Sequence, residues 1–347
     1  MITQEQDRSG PGPFGLMHQM WAPADQSDSA FFRTTLEDVV LADQLGYDSV
    51  WIAEHHYVRG KAFYARLPHI EIFIARLISE TSRIRLATGI KLLILDDPEH
   101  IAEKVRLLNL LSDGRVILGL GQGSPDELGV RDLTSDEKRL MFRTRLEELV
   151  GYLDGGLAAN GLALTPDYPI KIAETVWVGV RDDVSVAQAA RLGTNFIVGE
   201  AELGARQAPY ITNYRGAGGV GEARGARLVC VGETYERALA DVRVPAHQLN
   251  DAFSKGKYQK EMVELGMMSA DAALDEHEIL GRLEYAVGAP DDVTEQLYDY
   301  ITTTGVNALN IMVHAPGISQ ESAQRSLQLF MSEVAPALVS ALAKNDP

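Results

Sequence analysis

The feature that most limits what this chain can fold into is a repeated alternation of short apolar runs with amphipathic helical stretches. Runs at 14–18, 48–53, 84–91, 115–120, 175–180, 195–198, 227–231 and 306–313 each read as a strand. They are mostly apolar throughout, which is the pattern of strands covered on both faces of a parallel sheet. Between them, apolar residues recur at spacings of three and four, the period of a helix with one buried face. Phe32, Leu36, Val39 and Val40 form one such face, and Ile70, Phe73, Ile74, Leu77 and Ile78 another. Ile101, Val105, Leu108 and Leu111 follow Pro98, and Phe142, Leu146, Leu149, Val150 and Leu153 mark a fourth helix. The punctuation agrees. Pro68 and Pro98 stand near helix starts, while Gly46, Gly114 and Gly193 stand where helices should end.

Eight strands alternating with helices predict an α/β fold, a closed (β/α)8 TIM barrel, with an open doubly wound sheet as the alternative. The expected division is a flexible, polar, Pro/Gly-rich tail at 1–13 and a single barrel over 14–347. One interval breaks the rhythm: about 75 residues separate strands seven and eight. Its polar part, about 245–285, is a candidate lid, because a long insertion after a barrel strand lands on the active-site face. A plain surface excursion is the competing account. The final helix is expected over 320–343.

Composition excludes several functions. The formal net charge is −17, from 32 Lys+Arg against 49 Asp+Glu. No Lys/Arg run exceeds two residues, so neither nucleic acid nor an anionic membrane surface is an expected partner. No unbroken apolar run is long enough to span a bilayer. Cys230 is the only cysteine and sits in the apolar run LVCVG, so it reads as a buried strand residue. An intrachain disulfide or a cysteine-based zinc site cannot form. A cytoplasmic, reducing setting is the expectation.

Chemistry in such a barrel gathers where strands end. Strand two ends in Glu54, His55 and His56. A histidine there suits general acid–base work, since its pKa lies near neutrality. Hydrogen-bonded, inert histidines are the structural alternative. A metal site is disfavoured, because successive strand residues point to opposite sides. Strand three ends Ala87-Thr88-Gly89-Ile90, where glycine permits close approach of a flat ligand, or simply a bulge. Strand four ends in Gly119, Gly121, Gln122, Gly123 and Ser124, a spacing able to cradle a phosphate without matching a dinucleotide fingerprint. Strand five ends Arg181-Asp182-Asp183: a cation able to pair with a phosphate, then carboxylates that double as helix caps. His314 closes strand eight, as a cavity residue or a satisfied loop residue. Motifs of serine hydrolases, P-loop proteins and HExxH zinc enzymes are absent.

Taken together these segments resemble the bacterial luciferase-like flavin monooxygenase family. The carrying stretches are LGYDSVWIAEHHY at 45–57, SRIRLATGI at 82–90, DPEHIAEKVRLLNLLSDGRVILGLGQGS at 97–124, and the closing strand and helix at 305–338. The resemblance implies a (β/α)8 barrel that takes reduced FMN from a separate flavin reductase and uses O2, through a flavin C4a-peroxide, to oxygenate a small organic substrate. It implies a homodimer formed through early helices of the barrel. His55 matches the family's catalytic histidine and His56 its neighbour. Gly89-Ile90 matches a site that in the family often carries a cis peptide beneath the flavin ring. The flavin contacts it implies are Glu54, Thr88, Gly89, Ile90, Gly121, Gln122, Ser124, Arg181, Asp182 and Asp183, with no metal. Two departures stand out. Gln122 replaces a frequent arginine, and Arg181-Asp182-Asp183 replaces a Ser- and Glu-containing helix start. The positive charge that grips phosphate is therefore expected at Arg181, with Arg139 and Arg143 within reach. Some relatives use the deazaflavin F420, so an F420-dependent oxidoreductase is the alternative, followed by a flavin-binding protein without turnover.

Overall fold

The structure, a computed structural model, describes residues 14–56, 63–123, 133–199, 202–253, 263 and 275–344. The 1–13 tail and Ser124 lie outside these residues, as does most of the middle of the 245–285 stretch.

Eight parallel strands close into a barrel. They are β1 (Phe14–His18), β2 (Ser49–Ile52), β3 (Arg85–Thr88), β4 (Val116–Gly121), β5 (Val176–Gly179), β6 (Asn195–Ile197), β7 (Ala223–Val231) and β8 (Ala308–Met312). Each pairs with the next in parallel, and β8 returns to β1 through Phe14↔Leu309 and Leu16↔Ile311. The closed ring rules out the open sheet.

The period of two along each strand sorts the side chains. Met17, Trp51, Ala87, Ile117, Trp177, Ile197, Ala226 and Met312 fill the interior. Leu16, Val50, Ile52, Leu86, Leu118, Val178, Phe196 and Ile311 point outward against the helices. Glycine lets neighbouring layers touch. A Cβ on Gly119 would collide with the Thr88 carbonyl and come within 3.1 Å of the Trp51 ring.

Strand seven begins earlier than the sequence suggests, at Ala223 rather than 227. Arg224 and Gly225 look like loop residues, yet Arg224 is fully buried inside the barrel. Its guanidinium lies 5.5 Å from the Trp51 ring and 5.3 Å from that of Trp177. It donates to both Asp48 oxygens at 3.2 and 3.0 Å and to Asn310 at 3.0 Å. Burial would raise the Asp48 pKa, but Arg224 and Arg85 outweigh it and hold the carboxyl below its usual range. Paired charge and two indole faces make a buried arginine tolerable.

The helix starts and stops follow their local chemistry. Asp28–Leu45 begins on the Ser27 side chain and ends at Gly46, whose φ of 88° favours glycine. Pro98–Ser112 starts on an Asp97 cap with proline in its first turn. Strand three is shorter than expected. It stops at Thr88, the Gly89-Ile90 peptide is cis, and Lys91–Leu92 then pairs with the end of β4.

The insertion after β7 contributes structure at both described ends. Helix Tyr235–Phe253 continues through Pro245, and helix Glu276–Arg282 precedes a short strand, Ala286–Gly288, beside β7. Ala238, Val242, Ala246, Leu249, Ile279 and Leu283 pack with Leu228 and Cys230 as an extension of the barrel interior. Burial pushes the Cys230 thiol up to about 12, which suits its structural reading. The last helix is not one α-helix over 320–343. Gln320–Leu329 and Ala335–Lys344 are joined by a π-helical turn, Phe330–Val334. By length and composition Gln320–Lys344 is apolar enough to cross a bilayer. Polar residues interrupt it, so a search for unbroken apolar runs passes it over. Ala323, Leu327, Phe330, Val334 and Leu338 are buried against the barrel, which accounts for its apolar face.

Candidate active site

A cavity of about 310 Å³ opens at the C-terminal ends of the strands. Six strand ends line it: Met17 and Gln19 after β1, Ala53–His55 after β2, Gly89 and Ile90 after β3. Gln122 and Gly123 follow β4, Gly179–Arg181 follow β5, and Ile197–Gly199 follow β6. The volume lies in the range of small-molecule sites.

Of the residues expected from sequence, Glu54, His55, Gly89, Ile90, Gln122 and Arg181 meet in this cavity. The His55 backbone N–H is held by the Leu67 carbonyl at 2.8 Å, which fixes the residue at the strand end. Gln122 Nε2 is buried and has no hydrogen-bond acceptor among the described residues. Such a donor at a cavity wall is costly unless a ligand supplies an acceptor. Gly199 leaves room for Arg181: a Cβ there would sit 2.5 Å from its Nη2. Arg181 is half exposed and its Nε lies 3.2 Å from Glu202.

Other expected residues are placed elsewhere. Thr88 turns to the neighbouring strand and donates its hydroxyl to the Gly119 carbonyl at 2.7 Å. Gly121 makes room for the Ile90 side chain, which a Cβ would overlap. Asp182 caps the following helix by accepting from the Ser185 N–H at 3.0 Å. Asp183 accepts from Asn213 at 3.0 Å on the surface. Arg143 and Arg139 stand 3.6 and 4.0 Å from Asp182, so that carboxylate draws both toward it. His56 turns away from the cavity, and its Nε2 lies 2.8 Å from Glu54 Oε1. His314 pairs with Asp38 at 3.0 Å and lies against His18, ring centroids 4.3 Å apart. Burial first, then His314, lowers the His18 pKa.

Glu54 is the most perturbed acid. Burial pushes its pKa up to about 7, against the opposing pull of Lys91. Lys91 Nζ lies 3.1 and 3.0 Å from the two Glu54 oxygens, 3.0 Å from Glu71 and 3.5 Å from Asp96. Burial would lower the Lys91 pKa, but Glu54 and Glu71 raise it. One ammonium divided among three carboxylates stays charged without holding all three ionised. The sequence reading missed Lys91; its signal was a lysine at the head of the apolar run KLLIL, just past a strand end. Among the described residues no group of three or more His, Cys, Asp or Glu is arranged to hold a metal ion.

A second cavity, about 550 Å³, lies outside the barrel between helices Gly204–Gly216, Glu276–Arg282 and Pro290–Thr304. Its Arg227 is engaged by Glu284 and stacks 4.1 Å from the Tyr300 ring centroid. Chemistry favours the smaller mouth cavity, where the strand-end groups converge.

Comparison with known proteins agrees with this architecture. The family model described as luciferase-like monooxygenase matches residues 13–308. An uncharacterized protein, y4vJ, of Sinorhizobium fredii is 22% identical over 92% of this chain and 95% of its own length. A luciferase-like monooxygenase of Escherichia coli is 31% identical over 53% of this chain and 54% of its own. Among solved structures, the monooxygenase RslO1 of Streptomyces bottropensis superposes with a TM-score of 0.77 at 21% identity, covering 93% and 98% of the two chains. The oxygenating constituent of 3,6-diketocamphane monooxygenase of Pseudomonas putida, in complex with FMN, gives 0.75 at 20% identity, covering 94% and 98%. An F420-dependent secondary alcohol dehydrogenase gives 0.68 at 14% identity, covering 94% and 99%. A closed barrel, a mouth cavity on its strand ends and a match spanning most of the sequence converge: this chain belongs to the luciferase-like monooxygenase family.

Proposed function

We propose that the protein is a two-component monooxygenase that receives reduced FMN from a separate flavin reductase and uses O2 to oxygenate a small organic substrate. The observation that carries this reading is the mouth cavity itself, where a buried donor without an acceptor among the described residues, an arginine and a histidine face one space. The residues fit a flavin mononucleotide. Gln122 Nε2 offers a hydrogen bond, Arg181 offers a cation to a phosphate, and Gly89, Gly179 and Gly199 are part of the lining. Reduced flavin, when bound, supplies the electrons for O2 chemistry. The chain's part is to bind, orient and shield. His55 holds or moves a proton at the cavity wall. The helices Tyr235–Phe253 and Glu276–Arg282 pack with Leu228 and Cys230 of β7.

The structural likeness to an F420-dependent dehydrogenase supports a second reading, F420-dependent oxidation on the same barrel. Binding of reduced FMN against F420 separates the two. The partner surface for a homodimer is the outer face of helices Ile70–Ile78 and Pro98–Ser112, where Ile72, Leu107, Leu110 and Leu111 are exposed.

The test is His55→Ala. The expected outcome is a turnover loss of about 100-fold or more, the scale of a lost acid–base group. The affinity for reduced FMN, measured anaerobically, stays within a few-fold. Normal turnover with lost flavin binding would contradict the assigned role.

A further inference from the structure

We propose that Gln207, held in one orientation by Tyr300, is a positioning residue that fixes the Arg181 guanidinium at the rim of the mouth cavity. This rests on the reading that Arg181 takes the phosphate of a flavin mononucleotide.

Arg181 is a long, half-exposed side chain following β5, and two residues locate its head group. The guanidinium lies against Gly199, where a Cβ would come within 2.5, 2.9 and 3.1 Å of Nη2, Nε and Cζ. Its Nε faces Glu202 at 3.2 Å. Gly199 and Glu202 are therefore the seat of the cation, and one side chain holds both from behind. Gln207 Nε2 donates to the Gly199 carbonyl at 2.6 Å and to the Glu202 carbonyl at 2.9 Å. Gln207 is wholly buried, in the first turn of helix Gly204–Gly216, and is set back from the cavity wall.

The neighbours leave the amide one orientation. Two carbonyls can only accept, so its NH2 group faces them. On the other side the Tyr300 hydroxyl donates to Gln207 Oε1 at 2.6 Å. Burial pushes the Tyr300 pKa up to about 12, so the phenol keeps its proton through the neutral range. The fold makes room for that phenol: a Cβ on Gly225 of β7 would lie 2.3 Å from its oxygen. Arg227 stacks 4.1 Å from the Tyr300 ring centroid and also donates to the Glu202 carbonyl, at 3.0 Å. The chain of hydrogen bonds runs from helix Pro290–Thr304 through helix Gly204–Gly216 and ends on the two residues that seat Arg181.

An exposed arginine loses rotamer freedom when it grips an anion. A seat that already holds the head group lowers that cost. The gain belongs to the phosphate and not to the flavin ring, which is what separates this role from general stability.

The experiment compares reduced FMN with reduced riboflavin, titrated anaerobically; the two share a ring and differ in the phosphate. The parent is expected to prefer FMN, and Arg181→Ala to remove most of that preference, which tests the underlying reading by itself. Gln207→Leu and the milder Tyr300→Phe are expected to weaken FMN binding about fivefold to tenfold, the scale of one buried hydrogen bond, with riboflavin moved less than about twofold. In an Arg181→Ala background, Gln207→Leu should change FMN affinity less than about twofold, because its effect passes through the arginine. Should Gln207→Leu fail to fold, Tyr300→Phe still decides. An unchanged ratio of FMN to riboflavin affinity in these variants, whether neither flavin or both weaken, would overturn the positioning role. So would a full effect of Gln207→Leu that persists without Arg181. A parent with no preference for FMN, or a preference that survives Arg181→Ala, removes the phosphate reading, and the role falls with it.

Discussion

At the scale of single residues, burial and charge compete most openly at Glu54. The move of its pKa from 4.5 to about 7 corresponds to on the order of 3 kcal/mol against the ionised form. From about pH 4.5 to 7 the folded protein keeps a proton that the unfolded chain gives up. Stability therefore falls as pH rises through that window, and the cost is complete above it. A neutral amide in its place would bear no such cost, so Glu54→Gln should gain Tm relative to the parent at pH 8 compared with pH 5. A Tm difference equal at both pH values would contradict this. Gly119 tests packing instead. Its position against the Thr88 backbone leaves no room for a methyl group. Gly119→Ala should cost about 1–3 kcal/mol, read as a lower urea midpoint at unchanged m-value.

At the scale of elements, much of the order was legible because strand and helix periods differ sharply. Gly46, Pro98 and the Asp182-Asp183 pair marked boundaries by local backbone chemistry alone. The misreadings share a cause: partners distant in sequence override local pattern. Arg224 sits in a strand because Asp48 and two tryptophans, far away in the chain, accept its charge. Thr88 and Gly121 serve the wall between strands, which alternation alone does not assign. Lys91 reads as an ordinary cation until the fold brings Glu54, Glu71 and Asp96 around it. The antiparallel pair Trp21–Pro23 and Phe63–Ala65 had no turn signal, since 39 residues separate its strands between Ala24 and Ala62. Element faces also carry the assembly prediction. Leu110→Glu with Leu111→Glu places two charges on an exposed helix face. It should turn a dimer into a monomer by light scattering without lowering Tm by more than a few degrees; an unchanged mass would remove this face from the interface.

At the scale of the whole molecule, closure of the barrel decides where chemistry can occur. Parallel strands deliver all their C-terminal ends to one mouth, so residues as far apart as Gln19 and Gly199 face a single space. The opposite half of the interior is filled by Trp51, Trp177 and Arg224, and the mouth cavity lies at the strand ends beyond them. The molecule is strongly acidic, yet the cavity presents Arg181 at its rim, a local cation suited to an anionic cofactor. In the proposed function this cavity takes reduced FMN and governs its reaction with O2. The most direct measurement is to load the protein anaerobically with reduced FMN, mix it rapidly with O2-saturated buffer and follow flavin absorbance. Reoxidation slower than in protein-free buffer, and slowed less in Gln122→Ala with Arg181→Ala, is the predicted result. Reoxidation at the protein-free rate with saturating protein would contradict the account.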